Sequence, residues 1–230
     1  MINAGTWRAS FADGNEEASE SAAETAIEDG NKQMSPSASF FLLVRKGYSG
    51  TDAFICPADK ESEAFDLPQG VSLLTLTDFS SAYNLSYSMS YPWEDRHKGG
   101  GSGNVKFPKP SVDFVLFSDM SPVGQVSDSD LKSTRDDGNS LNHNQDGQCV
   151  LRGDYQSAAW VKTNRAGIND DNIFTAQPAS GQLDANDQPM TGDIYPTVTA
   201  GEGGANASPG SSSDSVMIFY DRSKLMAQAE

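Results

Sequence analysis

Two cysteines and two histidines in 230 residues leave little material for a metal or redox motif. No Cys-x-x-Cys pair is present, so the spacing of a zinc ribbon or a thioredoxin-like centre is excluded. Cys56 and Cys149 allow at most one bridge, and two separate structural thiols fit the sequence equally well. Basic residues are also scarce: 16 Lys and Arg stand against 32 Asp and Glu, a formal charge of −16, with an isoelectric point near 4.3. Phosphate backbones are gripped by clustered cations, so nucleic acid is excluded as a partner class. No apolar run approaches the roughly 20 residues of a membrane-spanning helix, nor the shorter core of a secretory signal.

What is abundant is Gly, Ser, Asn and Asp, while apolar residues make up 37%. A chain of this length and make-up forms one ordinary domain with long loops around a modest core. Ala4, Trp7 and Phe11 fall on one face of a helical repeat. Glu16–Asp29 has helix formers but almost only alanine as apolar content, and predicts a solvated or partly disordered helix ended by Gly30. Ser35-Pro36 opens a second helix over SFFLLVRKGY, with Phe40, Leu43 and Val44 on its inner face and Gly47 as its stop. Thr51–Asp59 reads as a short strand running into Pro57, and Val71–Leu76 as a brief strand or helix.

Tyr83, Leu85, Tyr87, Met89 and Tyr91 alternate with small polar residues, the period of a half-buried strand. That stripe also offers a carbohydrate or partner platform, against the plainer reading of sheet core. Val112–Met120 is nearly continuous in apolar residues and predicts the central strand. Gln148–Arg152 and Ala158–Lys162 predict a hairpin. After Thr175 the chain is rich in Gln, Asp, Pro, Gly and Ser, with Ser215–Tyr220 as a last strand and Asp221–Glu230 as a polar tail. These elements predict an α+β fold, a helix packed on a small, mostly antiparallel sheet with long irregular loops.

His143 is the candidate for acid–base chemistry. Hydrolysis would need a nucleophile beside it and a third orienting group, and no Gly-x-Ser-x-Gly elbow is present. A metal centre would need partners, and His97 in a Gly-rich loop is the sole other histidine. The plainer expectation is that His143 anchors a turn through backbone groups of the following strand. Asp170, Asp171 and Asn172 form a calcium candidate, and Asp184, Asn186, Asp187 and Asp193 a second acidic group; neither follows the EF-hand pattern, and turn formation and solvated loop are the competing readings. Asn84-Leu-Ser86 and Asn206-Ala-Ser208 fit the glycosylation pattern, which is common by chance.

The run NSLNHNQDGQCVLRGDYQSAAWVKTNRAGINDDNIFT, 139–175, is the most specific stretch of the chain. With LLVRKGY and DAFICPAD in 35–59, it resembles the bacterial prepilin-type, processing-associated H-X9-DG proteins, which are pilin-like and pseudopilin-like. The resemblance covers about two thirds of the chain. It implies a pseudopilin-like head over 35–220, preceded in 1–34 by the distal part of an N-terminal helix and an acidic linker, and followed by a tail over 221–230. It further implies a non-catalytic envelope, periplasmic or cell-surface protein whose partners are other pilin-like or secretion-system subunits. Membrane contact would come only through a hydrophobic helix lying ahead of Met1. The family's motif is His, nine residues, then Asp-Gly; here Gly153-Asp154 follows His143 at that spacing, inverted, which implies an altered hairpin bend. A soluble exported binding module, with carbohydrate as a candidate ligand, is the rival reading, and a hydrolase using His143 a distant third.

Overall fold

The computed structural model describes residues 16–28, 36–90, 112–122, 138–154 and 158–175, together with Ser215 and Met217. The expectations for Ala4, Trp7, Phe11, Tyr91, His97, Asp184, Asn186, Asp187, Asp193 and Asn206 lie outside the described residues, as does the tail beyond 220.

The class is α+β. Helix α1 spans Glu20–Glu28 and α2 spans Pro36–Arg45; strands β1 (Tyr87–Met89), β2 (Val115–Asp119), β3 (Gln148–Arg152) and β4 (Ala158–Val161) follow. They form one antiparallel sheet in the order β1-β2-β3-β4. The apolar run 112–120 thus supplies an inner strand, and the expected hairpin is present as β3 and β4.

Helix α2 ends as its sequence predicts. Tyr48 N–H reaches Leu43 C=O at 2.9 Å and Gly47 N–H reaches Val44 C=O at 3.0 Å, while Gly47 adopts φ +73°. This is the paired closure that satisfies the last carbonyls of a helix and favours glycine at the left-handed position. The inner face is rotated from the expected one. Phe40, Phe41 and Val44 are buried, whereas Leu43 is 42% exposed, because Ser37, Phe40, Phe41 and Val44 define the i, i+3, i+4, i+7 stripe. Phe40 meets Phe117 of β2 with ring centroids 5.6 Å apart, and Phe41, Phe54 and Phe65 surround Phe79 at 5.1–5.9 Å. Tilted and edge-on rings of this kind are the favoured aromatic geometry. The opposite side of the sheet buries Val115 and Val150 against Ala166, Ile173, Phe174 and Met217.

Several local expectations are corrected. Thr51–Asp59 is no strand: Thr51–Phe54 is a 3-10 turn, followed by a turn in which Asp59 N–H bonds Cys56 C=O. Pro57 removes the donor a ladder would need there. For Val71–Leu76, where strand and helix were both open, the helical alternative is present as a 3-10 turn at Leu73–Thr75. The Tyr-rich strand shrinks to Tyr87–Met89, since Ala82–Asn84 is another 3-10 turn. Its small polar residues are not on a wet face, for Ser86, Ser88 and Ser90 are buried beside Leu85 and Met89. The acidic segment 16–28 is more engaged than its composition predicts: Ala23 and Ala26 of α1 are buried, and Glu16, ahead of the helix, forms a bridge with Leu76. Alanine contributes little area but permits close approach. Asn84 is 6% exposed and donates to Glu63 C=O, which leaves it unsuited to carrying a glycan. Of the expected last strand, Met217 pairs with Ser90.

Among the described residues, no helix is long and apolar enough to cross a membrane.

Candidate functional site

The site is assembled from three chain segments that the sheet register brings together. Tyr87 stands opposite Asp119 and Cys149 opposite Trp160. Side chains two apart on a strand share a face, except across the register shift between Val115 and Phe117 in β2, which leaves Val115 on the side of Val150. Asp119 therefore lies on the face of Phe117, which α2 covers, and Cys149 on the face of Leu151, which pairs with Phe117. Asp119 closes a strand opened by the apolar Val115, Leu116 and Phe117 and is 1% exposed, so its carboxylate needs local partners.

Those partners come from the Asn-Ser-x-Asn-His turn, and each polar residue of that motif has a distinct role. Ser140 Oγ accepts the Asn142 N–H and caps the 3-10 turn Leu141–His143. Asn144 and Gln145 then take left-handed conformations, φ 54° and 66°, which reverse the chain into β3. Asn139 Nδ2 donates to Gln145 C=O and Lys162 C=O at 2.9 and 3.0 Å, pinning the turn to the end of β4. Asn142 Nδ2 donates to Ser86 C=O at 2.7 Å and reaches Asp119 Oδ1 at 3.4 Å.

His143 is left projecting toward Asp119. Its Nε2 lies 3.3 Å from Asp119 Oδ2 and 3.6 Å from Cys56 Sγ. The same Oδ2 accepts the Cys149 N–H at 2.7 Å. Trp160 sets its ring edge-on to the imidazole, centroids 5.0 Å apart. Cys56 is held by the turn after Phe54, whose C=O accepts the Ser86 N–H beside the start of β1. The donor atoms of Cys56, Asp119 and His143 all lie within 4.8 Å of one another. The expectation that His143 would bond backbone groups of the next strand is thus corrected: Asp119 takes that backbone donor, and the imidazole faces side chains.

Burial pushes the Asp119 carboxyl above its ordinary range, opposed by the Cys149 N–H and by His143. Burial likewise raises Cys56 and Cys149, with Asp119 adding to both. Tyr87, beside them, is pushed up to about 12, first by burial and then by the thiols and carboxylates around it. Cys56 and Cys149 are both free thiols.

The other candidates fall elsewhere. Gly153 N–H bonds Phe114 C=O, so the first half of the inverted pair extends the β2–β3 ladder. Among the described residues, left-handed glycine geometry occurs instead at Gly47, Gly70 and Gly147. Asp171 Oδ2 accepts the Ser215 N–H at 3.3 Å, Asn172 Oδ1 accepts the Phe174 N–H, and exposed Asp170 carries φ 61°. Asp171 and Asn172 direct these oxygens to backbone donors, the turn-forming role.

Sequence reasoning missed Cys56 and Asp119. The usable signal was Asp119 itself, an acidic residue ending a buried strand, since such a group demands a partner. No family model, curated protein or solved structure matches the chain.

Proposed function

We propose that the chain is the globular head of a non-catalytic, pilin-like or pseudopilin-like envelope protein, acting by assembly with other such subunits or by contact with cargo. The observation that carries this reading is where the two family-like stretches meet. Cys56, from the DAFICPAD segment, touches His143 of the NSLNHN turn across 87 positions. Residues that give the resemblance its specificity thereby form one interior junction, as expected of a motif that maintains a scaffold. A helix on an antiparallel sheet is also compatible with the pseudopilin plan.

The junction is a poor reaction centre. A Cys–His–Asp relay places the thiol at one imidazole nitrogen and the carboxylate at the other. Here both approach Nε2. Nucleophilic cysteines have lowered pKa values, whereas burial raises both of these thiols.

The reading frame ahead of Met1 tests the proposal. A Gly-Phe-type leader junction followed by roughly 20 apolar residues supports it, as does crosslinking of the full-length protein to pilin-like subunits in an inner-membrane fraction. A conventional secretory peptide favours the soluble binding module. One observation favours that second reading: Trp160, on the edge strand β4, is 47% exposed, and aromatic faces suit sugar rings. Retention on an immobilised polysaccharide, lost in Trp160→Ala, would select it.

A further inference from the structure

We propose that Cys56, Asp119 and His143 bind one zinc-class divalent cation, with a water or other small donor in the fourth position. The inference does not depend on the pilin-like reading. It rests on ligand type and on geometry.

Thiolate, imidazole and carboxylate are the three protein donor types zinc accepts, at about 2.3, 2.0–2.1 and 2.0–2.2 Å. A tetrahedron with those bond lengths has sulfur–nitrogen edges of roughly 3.6 Å and nitrogen–oxygen edges of roughly 3.4 Å. The structure has 3.6 Å between Cys56 Sγ and His143 Nε2, and 3.3 Å between His143 Nε2 and Asp119 Oδ2. Both separations are edges of the expected polyhedron. The approach of two atoms to the one Nε2 is awkward for hydrogen bonding, because a neutral imidazole nitrogen has one proton or one lone pair to share. It is the natural arrangement around a cation.

The surroundings behave as an outer shell. Cys149 N–H and Asn142 Nδ2 orient the two carboxylate oxygens of Asp119, and Trp160 fixes the imidazole plane. Such outer partners set ligand orientation in metal sites. The three ligands arise from the Cys56 turn, the end of β2 and the Leu141–His143 turn, so a bound ion would tie together segments distant in sequence. Its binding free energy would then add to the stability of the fold.

The chelator-stripped, full chain under a non-coordinating reductant provides the test, with cobalt(II) as spectroscopic probe and zinc(II) as competitor. The expected result is one cobalt per chain, with intense visible bands of tetrahedral coordination and a near-ultraviolet thiolate charge-transfer band, all abolished by an equivalent of zinc. The wild-type melting temperature should rise with free zinc and fall back on chelation, a readout needing no variant. Cys56→Ser should lose the charge-transfer band, and the more accessible His143→Gln should weaken cobalt affinity at least tenfold. Absence of tetrahedral bands together with a zinc-independent melting temperature in folded wild type would overturn the proposal. A charge-transfer band of full strength in Cys56→Ser would overturn it as well, placing the metal elsewhere.

Discussion

Gly147 lies against the indole of Trp160. A Cβ added at Gly147 would stand 2.7 Å from Trp160 Cζ2 and 2.4 Å from the Val161 carbonyl oxygen. The backbone there also carries φ +153°. The glycine after Asp146 therefore lets the turn close over β4 and brings His143 against Trp160.

Gly147→Ala should consequently destabilise the fold by about 1–3 kcal/mol, the range for overpacking a tight site, with added backbone cost. Chemical denaturation reads the effect as a lowered midpoint. The variant should also change Trp fluorescence, because Trp160 must shift. An unchanged midpoint would mean that the turn leading into β3 is looser than its geometry.

How far this architecture could be read beforehand depended on the range of each determinant. The end of α2 was legible because Arg45, Lys46 and Gly47 carry it locally. Strand β2 and the hairpin were legible because apolar runs and turn residues mark them within a few positions. The core face of α2 was not, since Phe41 and Leu43 are equally apolar and only the position of Phe79 and Phe65 selects between them. The site was least legible. His143 stood out by its rarity, but its partners Cys56 and Asp119 are chosen by strand register, which no spacing motif encodes. The cation candidate read from the sequence was Asp170, Asp171 and Asn172 instead, where acidic residues are adjacent in the chain.

Phe79 is the hub of the aromatic cluster, fully buried and edge-on to Phe41, Phe54 and Phe65. Phe79→Ala should cost about 3–5 kcal/mol, the usual range for such a truncation. Phe79→Leu, which keeps most of the volume, should cost clearly less. Equal losses would show that ring–ring geometry, not filled volume, dominates this core.

Tyr87 sets an alkaline limit. Its phenol is pushed from 10.0 up to about 12, so between those values the unfolded chain releases a proton that the folded chain holds. The associated stability is fully present below pH 10 and is lost as pH rises toward 12. Tyr87→Phe should flatten that part of the stability profile. A spectrophotometric titration of the native protein should lose one late-ionising tyrosine in the same variant. A titration curve that keeps this late component would reassign it.

Asn142 provides a charge test of the interior junction. Its amide donates to Ser86 C=O and faces Asp119 Oδ1, and it is 2% exposed. Asn142→Ala should cost about 1–3 kcal/mol, since Asp119 Oδ1 loses the amide that faces it and Ser86 C=O keeps only the Met120 N–H. Asn142→Asp should behave differently, because it sets a second carboxyl beside Asp119 in a site with little water. Two buried carboxylates cannot both ionise without strong repulsion, so the pair would hold a proton to unusually high pH. A folded-state pKa above the unfolded value means stability retained in acid and lost as pH rises through the folded value. Denaturation midpoints should therefore show Asn142→Asp close to Asn142→Ala in acid and well below it at neutral pH. Parallel profiles for the two variants would indicate that the Asp119 carboxylate is far better solvated than its burial implies.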